Sequence, residues 1–423
     1  MTIESKTKRH AVLMIAYTYY QTDPRVVREA EAAVSGGFEV DFLALRRGND
    51  PPVETLRGVR VFHLNQSRYR GGTYASYLTA YLLFFLRCFF KTTALHMRHR
   101  YKVIHVNNMP DFMVFCTVIA KALGAKVILD IHDPMPNTFA SKFRTKDGGL
   151  FYRLLLWQEL LSVWYSDRVL TVHEPVKEGV LVKHGLPADS IKVIANFPDQ
   201  ELFVQREKYD INGQIKLVYH GTIHERSGLG RLALALSKMQ YRSKIRVKII
   251  GEGDFSGPLK KLISDNNLSD IVEFDNQSFP VREIPDRIAD CNVGIAPLEV
   301  SSITNYALPL KLVEYVAMGL PVITVRSAAI RYYFAEEDCM FYDWDDIQSL
   351  AALLDRLVQN PEQLLQYRQR SVALRDRFSW SGEKQKYISL LKELLPKSSL
   401  KEEGRTDASP VTRSEGAVRR NSN

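Results

Sequence analysis

Short apolar runs that resemble β-strands alternate with amphipathic helical patterns along most of the chain. In the first half, strand-like runs occur at 11–17, 39–45, 59–64, 102–106, 125–131 and 168–172, and helical patterns occur at 24–36, 111–123 and 150–165. In the second half, strand-like runs occur at 215–221, 244–251, 271–274, 292–298 and 321–325, and helical patterns occur at 228–239, 257–267, 281–290, from 309 onward and at 346–357. Strand–helix units with short links are typical of parallel sheets covered by helices. The alternation therefore predicts an α/β fold of two Rossmann-like domains, joined near 199–214, where the periodicity is lost.

The ends of the chain and the first helix carry local signals. Asp23 followed by Pro24 predicts a helix start, since Asp is a favoured N-cap and Pro fits the first helical position. The N-terminal MTIESKTKRH lacks the pattern of a signal peptide and is predicted to be a disordered lead into the first strand. The polar segment 397–423 is predicted to be a disordered tail.

Length and composition support a two-domain globular protein. A chain of 423 residues is too long for one ordinary core, and 45% hydrophobic with 25% charged residues is usual for a folded protein. The four cysteines are scattered without CxxC spacing, which supports neither a zinc site nor a disulfide framework. We therefore expect a reducing, cytoplasmic setting.

The positive charge is concentrated in the first half of the chain. Of the net charge of +9, residues 1–200 contribute 26 Lys and Arg against 18 Asp and Glu. Such a bias favours an anionic partner or surface. The sequence has no RNA-binding motif, zinc finger or basic-helix repeat, so we expect no nucleic acid. Membrane phospholipid or a phosphorylated acceptor is at least as compatible with the charge.

One stretch, 74–102, is long and apolar enough to suggest a membrane segment. Arg87 and Lys91 interrupt it, so it contains no uncharged run of 18 residues. Its aromatic residues lie beside a basic end, as in helices that lie in a membrane interface. The alternative is a core helix of the domain with a solvated basic end, and the two interpretations are compatible. The stretch motivates the expectation of a peripheral contact with an anionic membrane.

Two helix starts in the second half are candidate anion sites, because helix N-termini at the carboxyl edge of a parallel sheet bind phosphates. The first follows the strand at 215–221 and offers Gly221, Thr222 and Arg226. The second is SSITNYALPLK (301–311), which opens the helix that carries Lys311 and Glu314 on one face. Further donor-site candidates there are Asn305, Tyr306 and Leu308. Each helix start alone could equally be an ordinary capped helix.

Other candidate features carry different weight. In GEGDFSG (251–257), Gly251 gives room to a ligand or makes a tight turn, but the spacing is not that of a dinucleotide fingerprint. The strand AKVILDI (125–131) has Asp130 near its carboxyl end and is followed by His132 and Asp133, which we favour as catalytic over a turn histidine and a cap. His105 is predicted to be structural. DWDD (343–346) favours a helix cap over a metal site, so neither metal nor cofactor is expected.

Taken together and in order, these motifs resemble glycosyltransferase family 4, the retaining nucleotide-sugar enzymes with the GT-B fold. The resemblance covers about residues 10–395, and its pieces include HAVLMIAYTYYQTDPRVVREA, YKVIHVNNMPDF, LDIHD, YHGTIHERSGL, VKIIGEGD and LPLKLVEYVAMGLPVI. It implies two Rossmann-like domains that face each other across a cleft. Residues 1–200, joined by a returning helix at 380–396, would bind the acceptor, and residues 214–379 would bind the donor.

The resemblance also implies roles for residues near the donor. Glu314 matches the second glutamate of the family's E-x7-E motif, which holds the donor ribose, whereas the first glutamate is replaced by Tyr306. Lys311 matches the position beside the donor phosphates. Arg226 lies one position before the family's phosphate-binding lysine, and Thr222 replaces its preceding arginine.

In the first domain, His132 matches the histidine that faces the donor sugar and the acceptor. The hypothesis that follows is transfer of a sugar from a UDP- or GDP-sugar to a glycan or lipid-linked acceptor, with retention of anomeric configuration. Attack from the front face, with the leaving phosphate taking the acceptor's proton, needs no pair of catalytic carboxylates. The alternatives are a non-catalytic nucleotide-sugar-binding scaffold, suggested by the missing glutamate, and a GT-B-fold sugar epimerase.

Overall fold

The computed structural model describes residues 10–69, 74–142, 149–205, 207, 209–301 and 304–396. Apart from His10, both segments that the sequence predicts to be disordered lie outside this range. The strands are β1 Ala11–Ile15, β2 Glu39–Leu45, β3 Val53–Leu56, β4 Val59–Leu64, β5 Val103–Asn107, β6 Lys126–Ile131, β7 Arg168–Thr171, β8 Ile191–Val193, β9 Ile215–His220, β10 Ile245–Ile250, β11 Val272–Asp275, β12 Val293–Ala296, β13 Val322–Val325 and β14 Met340–Tyr342. The helices are α1 Pro24–Ser35, α2 Tyr74–His99, α3 Val118–Ala122, α4 Met135–Lys142, α5 Leu150–Tyr165, α6 Glu174–Val176, α7 Leu229–Lys238, α8 Ser256–Asp265, α9 Ile284–Arg287, α10 Leu310–Ala317, α11 Ala328–Tyr333, α12 Ile347–Gln359, α13 Gln363–Leu374 and α14 Trp380–Glu393.

The strands form two separate sheets, as the sequence predicts. The first has eight strands in the order β3-β4-β2-β1-β5-β6-β7-β8, and the second has six in the order β11-β10-β9-β12-β13-β14. Neighbouring strands are parallel throughout both sheets except for β3, which pairs antiparallel with β4. The chain reverses between them at Arg57 and Gly58, whose φ angles of 48° and 85° suit a two-residue hairpin turn.

Several predicted elements are confirmed at or close to the expected residues. The strands at 39–45 and 59–64 have those bounds. The first helix begins at Pro24, and the carboxylate of Asp23 accepts a hydrogen bond from the backbone N–H of Arg25 at 3.2 Å. Asp346 of the DWDD segment accepts from the backbone N–H of Gln348 at 2.8 Å and caps α12, as its position suggests.

Other elements differ from the expectation in type or length. The helix predicted at 111–123 begins as a 3-10 helix, Asp111–Thr117, and only Val118–Ala122 is α-helical. The helix predicted at 281–290 is reduced to a 3-10 turn, Val281–Glu283, and the four residues of α9, which carries Pro285 in its first turn. The short edge strands β3, β8 and β14, of three or four residues, were not predicted.

Both faces of the first sheet are covered by helices. One face packs against α2, the 111–122 segment and α5, through buried residues such as Phe84 and Val114. The other packs against α1 and α14, and α14 inserts Tyr387 and Leu391 into that core. The last helix therefore returns to the first domain, while the second sheet and its own helices form a separate core. This arrangement places the carboxyl edge of the first sheet opposite loops of the second domain.

Candidate functional site

A pocket of about 190 Å³ lies between the two sheets. The first domain contributes side chains that follow the carboxyl ends of β6 and β7, and the second contributes the 306–310 segment just before and at the start of α10. The residues that line it are Arg25, His132, Asp133, Pro134, Asn137, Thr138, Val172, His173, Val176, Val180, Asn196, Tyr306, Ala307, Leu308 and Leu310. The pocket thus brings together the histidine and aspartate that the sequence favours as catalytic with two of the donor-site candidates.

His132 is held from two sides. Its Nε2 lies 2.8 Å from Oδ2 of Asp130, and its backbone N–H donates to Oδ1 of Asn108 at 2.9 Å. Burial alone would raise the pKa of Asp130, but His132 and His105 reverse this effect and hold it well below its usual range. Asp130 is therefore a carboxylate that orients the imidazole, in the way that carboxylates orient catalytic histidines elsewhere.

A buried network supports this carboxylate from behind. Nε2 of His105 lies 3.3 Å from Oδ2 of Asp130, and Nδ1 of His105 lies 2.7 Å from the hydroxyl of Tyr387 on α14. Burial, and next the charge of Asp130, raise the pKa of Glu29 well above its usual range, so Glu29 keeps its proton. Glu29, His105 and Asp130 present ligand atoms within 4.8 Å of one another. Oε2 of Glu29 has no hydrogen-bond partner among the described residues, and the three side chains form a buried polar cluster next to His132. His105 accordingly has the structural position that the sequence predicts.

Asp133, which the sequence also favours as catalytic, lies at the exposed side of the pocket. Its side chain is 62% exposed, and its Oδ2 lies 4.0 Å from Nη1 of Arg25. Asp133 belongs to the pocket wall, but Asp130 is the carboxylate that contacts His132. The sequence placed Asp130 at the end of the strand without assigning it this contact.

The donor-side candidates meet at the N-terminus of α10. Lys311 Nζ lies 4.6 Å from the centroid of the Tyr219 ring and 3.6 Å from the place where a Cβ would stand on Gly221. Gly221 has a φ of 111°, in the left-handed region that favours glycine, so the loop after β9 passes close to the ammonium group. The N-cap of α10 is Pro309, which makes no side-chain cap. The first N–H groups of α10 and Lys311 together form an arrangement that suits an anion.

Glu314 lies one helical turn further along, in a mostly dry environment. Its Oε2 is 3.3 Å from Nε2 of His220, which is buried and uncharged because burial, and next the charge of Lys311, lower its pKa to about 3. Burial raises the pKa of Glu314 to about 7, although the charges of Arg28 and Lys311 oppose the rise. Glu314 is thus poised between its neutral and ionised forms at neutral pH.

Arg28 of α1 connects this carboxylate with the first domain. It donates to the backbone carbonyl of Phe197 at 2.5 Å and to the side-chain oxygen of Asn196, at the junction of the two domains. It also lies 5.5 Å from the ring of Trp380. Sequence reasoning missed Arg28, although its place on the first helix after β1 is a common one for ligand-facing groups in α/β sheets.

The remaining donor-site candidates occupy different surroundings. Thr222 and Arg226 are exposed. Asn305 Oδ1 accepts a hydrogen bond from the backbone N–H of Ala328 at 2.8 Å, so it ties its loop to the start of α11. Leu308 is buried in the second core and also lines the pocket. In these positions, the residues are compatible either with direct contact to a donor or with support of the loops around it.

The glycine run at 251–257 packs against the loop that follows β9. A Cβ on Gly251 would lie 2.0 Å from the carbonyl oxygen of Gly221, and one on Gly253 would lie 2.2 Å from that of Ile223. The two glycines therefore make room for the chain's own loop, and Gly251 supports the part of it that faces Lys311. Whether Gly251 also gives room to a ligand stays a prediction.

Tyr306 reaches across the cleft from the second domain to the first. Its ring packs against Gly179, where a Cβ would lie 2.2 Å from Cε1 of the ring. Its hydroxyl accepts a hydrogen bond from Lys183 Nζ at 3.3 Å, and that ammonium lies 5.4 Å from the ring centroid. The residue that replaces the family's first glutamate is therefore part of the contact between the domains.

His173 is a pocket residue that sequence reasoning missed. It follows β7, is 5% exposed, and its Nδ1 has no hydrogen-bond partner among the described residues. Burial, and next the charge of His132, lower its pKa to about 3, so its imidazole is neutral. The signal was its position at the carboxyl end of a parallel strand, the same signal that singled out His132.

Comparison with known proteins agrees with this architecture. The family profile described as "Glycosyl transferase 4-like domain" matches residues 22–196, and the one described as "Glycosyl transferases group 1" matches residues 203–372. A sucrose-phosphate synthase from Thermosynechococcus elongatus has a similar structure, with a TM-score of 0.73, 19% identity, and coverage of 91% of this chain and 99% of that one. The Anabaena protein HepE in complex with UDP and glucose gives a TM-score of 0.67 at 14% identity, over 91% of this chain and 100% of that one.

Similar curated sequences bear glycosyltransferase names. An MMP alpha-(1->4)-mannosyltransferase from Mycolicibacterium hassiacum is 22% identical over 62% of this chain and 64% of its own length. The amylovoran biosynthesis glycosyltransferase AmsK from Erwinia amylovora is 27% identical over 42% of this chain and 44% of its own length. The chain thus spans less than two thirds of the length of these relatives.

The two facing sheets, the cleft and the two matching profiles define a glycosyltransferase of the GT-B class. The chain belongs to glycosyltransferase family 4.

Proposed function

We propose that the protein transfers a sugar from a UDP- or GDP-sugar to a glycan or lipid-linked acceptor, with retention of anomeric configuration. The observation that carries the proposal is the placement of Lys311 and Glu314 at the N-terminus of α10, across the cleft from the His132–Asp130 pair. The complexes of similar folds with UDP and with UDP-2-fluoro glucose support a nucleotide-sugar donor. The names of the similar curated sequences support a role in glycan biosynthesis.

The donor would lie mainly on the second domain. Lys311 and the uncapped N–H groups of α10 bind the diphosphate, and the Glu314 carboxylate accepts hydrogen bonds from the ribose diol. Because protein cations neutralise the diphosphate, no metal or cofactor is required. Negative charge builds on the leaving phosphate during transfer, and loss of one such stabilising group costs roughly 2.7–4 kcal/mol in comparable sites.

The acceptor would enter from the first domain. His132, oriented by Asp130, lies in the pocket beside the donor sugar, and neutral His173 offers a hydrogen-bonding nitrogen to sugar hydroxyls. The acceptor hydroxyl attacks the anomeric carbon on the face from which the phosphate departs, and its proton passes to that phosphate. We place the reaction in the cytoplasm.

The test is a panel of labelled UDP- and GDP-sugars with extracts that contain acceptors. Transfer or donor hydrolysis should occur with one donor and fall at least about a hundredfold in Lys311→Ala and Glu314→Ala. Lys244→Ala, an exposed lysine far from the cleft in the second domain, is the matched control and should keep full activity. Tight donor binding without turnover would instead indicate a scaffold, and interconversion of the free donor without acceptor would indicate an epimerase. The anomeric configuration of the product, read by NMR, tests retention.

A further inference from the structure

The exposed apolar side chains of the described protein are concentrated on one side of the first domain. Of eighteen large hydrophobic residues that are exposed, thirteen lie on α2, on the 118–123 segment or on α5. They are Leu78, Leu82, Leu83, Leu86, Phe90, Met97, Val118, Ile119, Leu123, Leu150, Leu154, Trp157 and Trp164. Isolated exposed hydrophobics are ordinary, but a concentration of this kind marks a surface that binds a partner or a membrane.

These elements form one continuous layer. The ring centroids of Phe85 on α2 and Phe112 lie 5.9 Å apart, which joins α2 to the 111–123 segment. On the other side of that segment, the hydroxyl of Tyr165 at the end of α5 lies 3.0 Å from Oγ1 of Thr117. The order across the layer is therefore α2, the 111–123 segment and α5. We call the outward side of this layer, made by the thirteen residues above, the apolar face.

The spacing on each helix shows that the apolar face is the side turned away from the sheet. On α2, residues 78, 82, 86 and 90 repeat every four positions, while Phe84 and Cys88 are fully buried against the sheet. On α5, residues 150, 154, 157 and 164 form a similar stripe. The stretch Ala75–His99 is long and apolar enough to cross a membrane by length and composition. Its most apolar 18 residues have a mean hydropathy of 1.4, yet only 28% of them are buried. An ordinary core helix would be mostly buried.

The charges around the apolar face are almost all positive. Residues 74–126 and 150–166 contain two carboxylates, Asp111 and Glu159, and both are completely buried. The same ranges contain eight basic residues, namely Arg87, Lys91, Arg98, Arg100, Lys102, Lys121, Lys126 and Arg153. Lys121 and Lys126 pair with Asp167, just beyond these ranges, at 2.9 and 3.0 Å, so the excess positive charge comes from the other six. A surface with apolar and Trp side chains, basic residues and no exposed carboxylate in these ranges matches an anionic bilayer, whose headgroups attract Lys and Arg while the interface accepts Trp.

We propose that the apolar face docks on an anionic lipid bilayer, with Phe90 and Trp157 inserted among the lipids and Arg98 and Arg153 on the headgroups. This orientation of the protein on the bilayer also suits delivery of a lipid-linked acceptor to the pocket. Helices between parallel strands start at the carboxyl edge of the sheet, so α2 and α5 start at the edge where His132 lies. Between them and the pocket lies α4, which contributes Asn137 and Thr138 to the pocket wall. The inference rests on the proposed function only for this acceptor, because docking itself needs no sugar transfer.

Flotation of the full chain with vesicles tests the docking. Vesicles of phosphatidylcholine with about one third phosphatidylglycerol should carry the protein at about 0.1 M salt, and binding should weaken when salt is raised or the anionic lipid is left out. Phe90→Glu and Trp157→Glu should each lower the partition coefficient at least about tenfold, since each puts a charge in the interface. Arg98→Gln and Arg153→Gln should each lower it about fivefold. The matched controls are Leu365→Glu, 43% exposed on α13, and Lys261→Gln, exposed on α8, and both should bind like the unmodified chain.

Tryptophan fluorescence gives a second readout. Insertion should shift the emission to shorter wavelength and allow quenching by brominated lipid, and Trp157→Phe with Trp164→Phe should remove most of this signal. The proposal is overturned if the unmodified chain does not float, or if the glutamate variants float as it does. It is also overturned if the unmodified chain forms a dimer, the glutamate variants are monomers, and none of them binds vesicles. Donor hydrolysis in vesicle-free buffer should be normal in Phe90→Glu and Trp157→Glu, so failure of docking is distinguishable from failure of the proposed function.

Discussion

The pKa of Glu314 leads to a specific prediction about donor binding. Burial raises this pKa to about 7 in the free protein, so the side chain is largely protonated just below neutral pH. A ribose diol donates hydrogen bonds, and a carboxylate accepts them better than a neutral acid does. Donor affinity should therefore increase as the pH rises through 7 and decrease as it falls.

The size of the effect follows from the titration. With a pKa of about 7, roughly one tenth of the protein carries the Glu314 carboxylate at pH 6 and roughly nine tenths at pH 8. If only the ionised form binds the ribose, the Kd for the donor is about tenfold larger at pH 6 than at pH 8, a difference of about 1.4 kcal/mol. Any binding by the protonated form reduces this ratio, so tenfold is an upper value.

Isothermal titration calorimetry with an intact nucleotide sugar measures this directly. A nucleotide sugar is preferable to the free nucleoside diphosphate, whose terminal phosphate itself titrates near a pH of about 6. Binding should also release protons near pH 7, because it favours the ionised carboxyl, and the heat should then depend on the buffer. Glu314→Gln keeps the shape of the side chain but cannot titrate, so its Kd should be weaker and nearly independent of pH.

Two results would refute the reasoning. One is an affinity of the unmodified protein that stays constant between pH 6 and 8. The other is a pH dependence that persists unchanged in Glu314→Gln, which would assign it to another group. A complementary change is Arg28→Met, which removes the largest charge that stabilises the carboxylate and should move the midpoint to higher pH.

Three further expectations concern the pocket and its surroundings. Asp130→Asn should lower the transfer rate by about a hundredfold, with the donor Kd unchanged, because it removes the carboxylate that orients the pocket histidine; an equal loss of donor affinity would contradict this. Gly179→Ala should disturb the contact with Tyr306 and lower the midpoint of thermal unfolding. The control Gly382→Ala, which has open space around its Cβ, should not lower it. In a double-mutant cycle, adding Tyr306→Ser to Gly179→Ala should restore the midpoint. Asp346→Ala should reduce the free energy of unfolding by about 1 kcal/mol through loss of the cap on α12, and the loss should be the same with and without EDTA.

The alternation of the two sheets could be predicted from sequence because most strands and helices are long enough to show their period. The strands at 39–45 and 59–64 are buried on both sides and appear as apolar runs. The hairpin strand β3 could not be found in this way, since its four residues, VETL, are half polar and only partly buried. The length of α9 was overestimated because the amphipathic pattern of 281–290 continues through the 3-10 turn before α9 and past its last residue, Arg287.

The candidate site was predictable where topology places side chains at strand ends. His132 and Lys311 were found because each follows or opens an element at the carboxyl edge of a parallel sheet. The partners of those residues depend on contacts between distant segments. Asp130, not Asp133, contacts the imidazole of His132, because alternate residues of a strand point to the same side. His105 on β5 then contacts Asp130, and Tyr387 on α14 contacts His105. No spacing in the sequence predicts a contact between residues 105 and 387.

The return of α14 to the first domain has a consequence for biosynthesis. Ribosomes make the second domain as one continuous segment, whereas the first lacks its Tyr387 and Leu391 until nearly the whole chain has been synthesised. We therefore expect the second domain to reach its native state first, although it is translated later. Until α14 is made, the face of the first sheet beside α1 stays partly uncovered. A nascent chain released before residue 380 should be a chaperone substrate and a target for proteolysis.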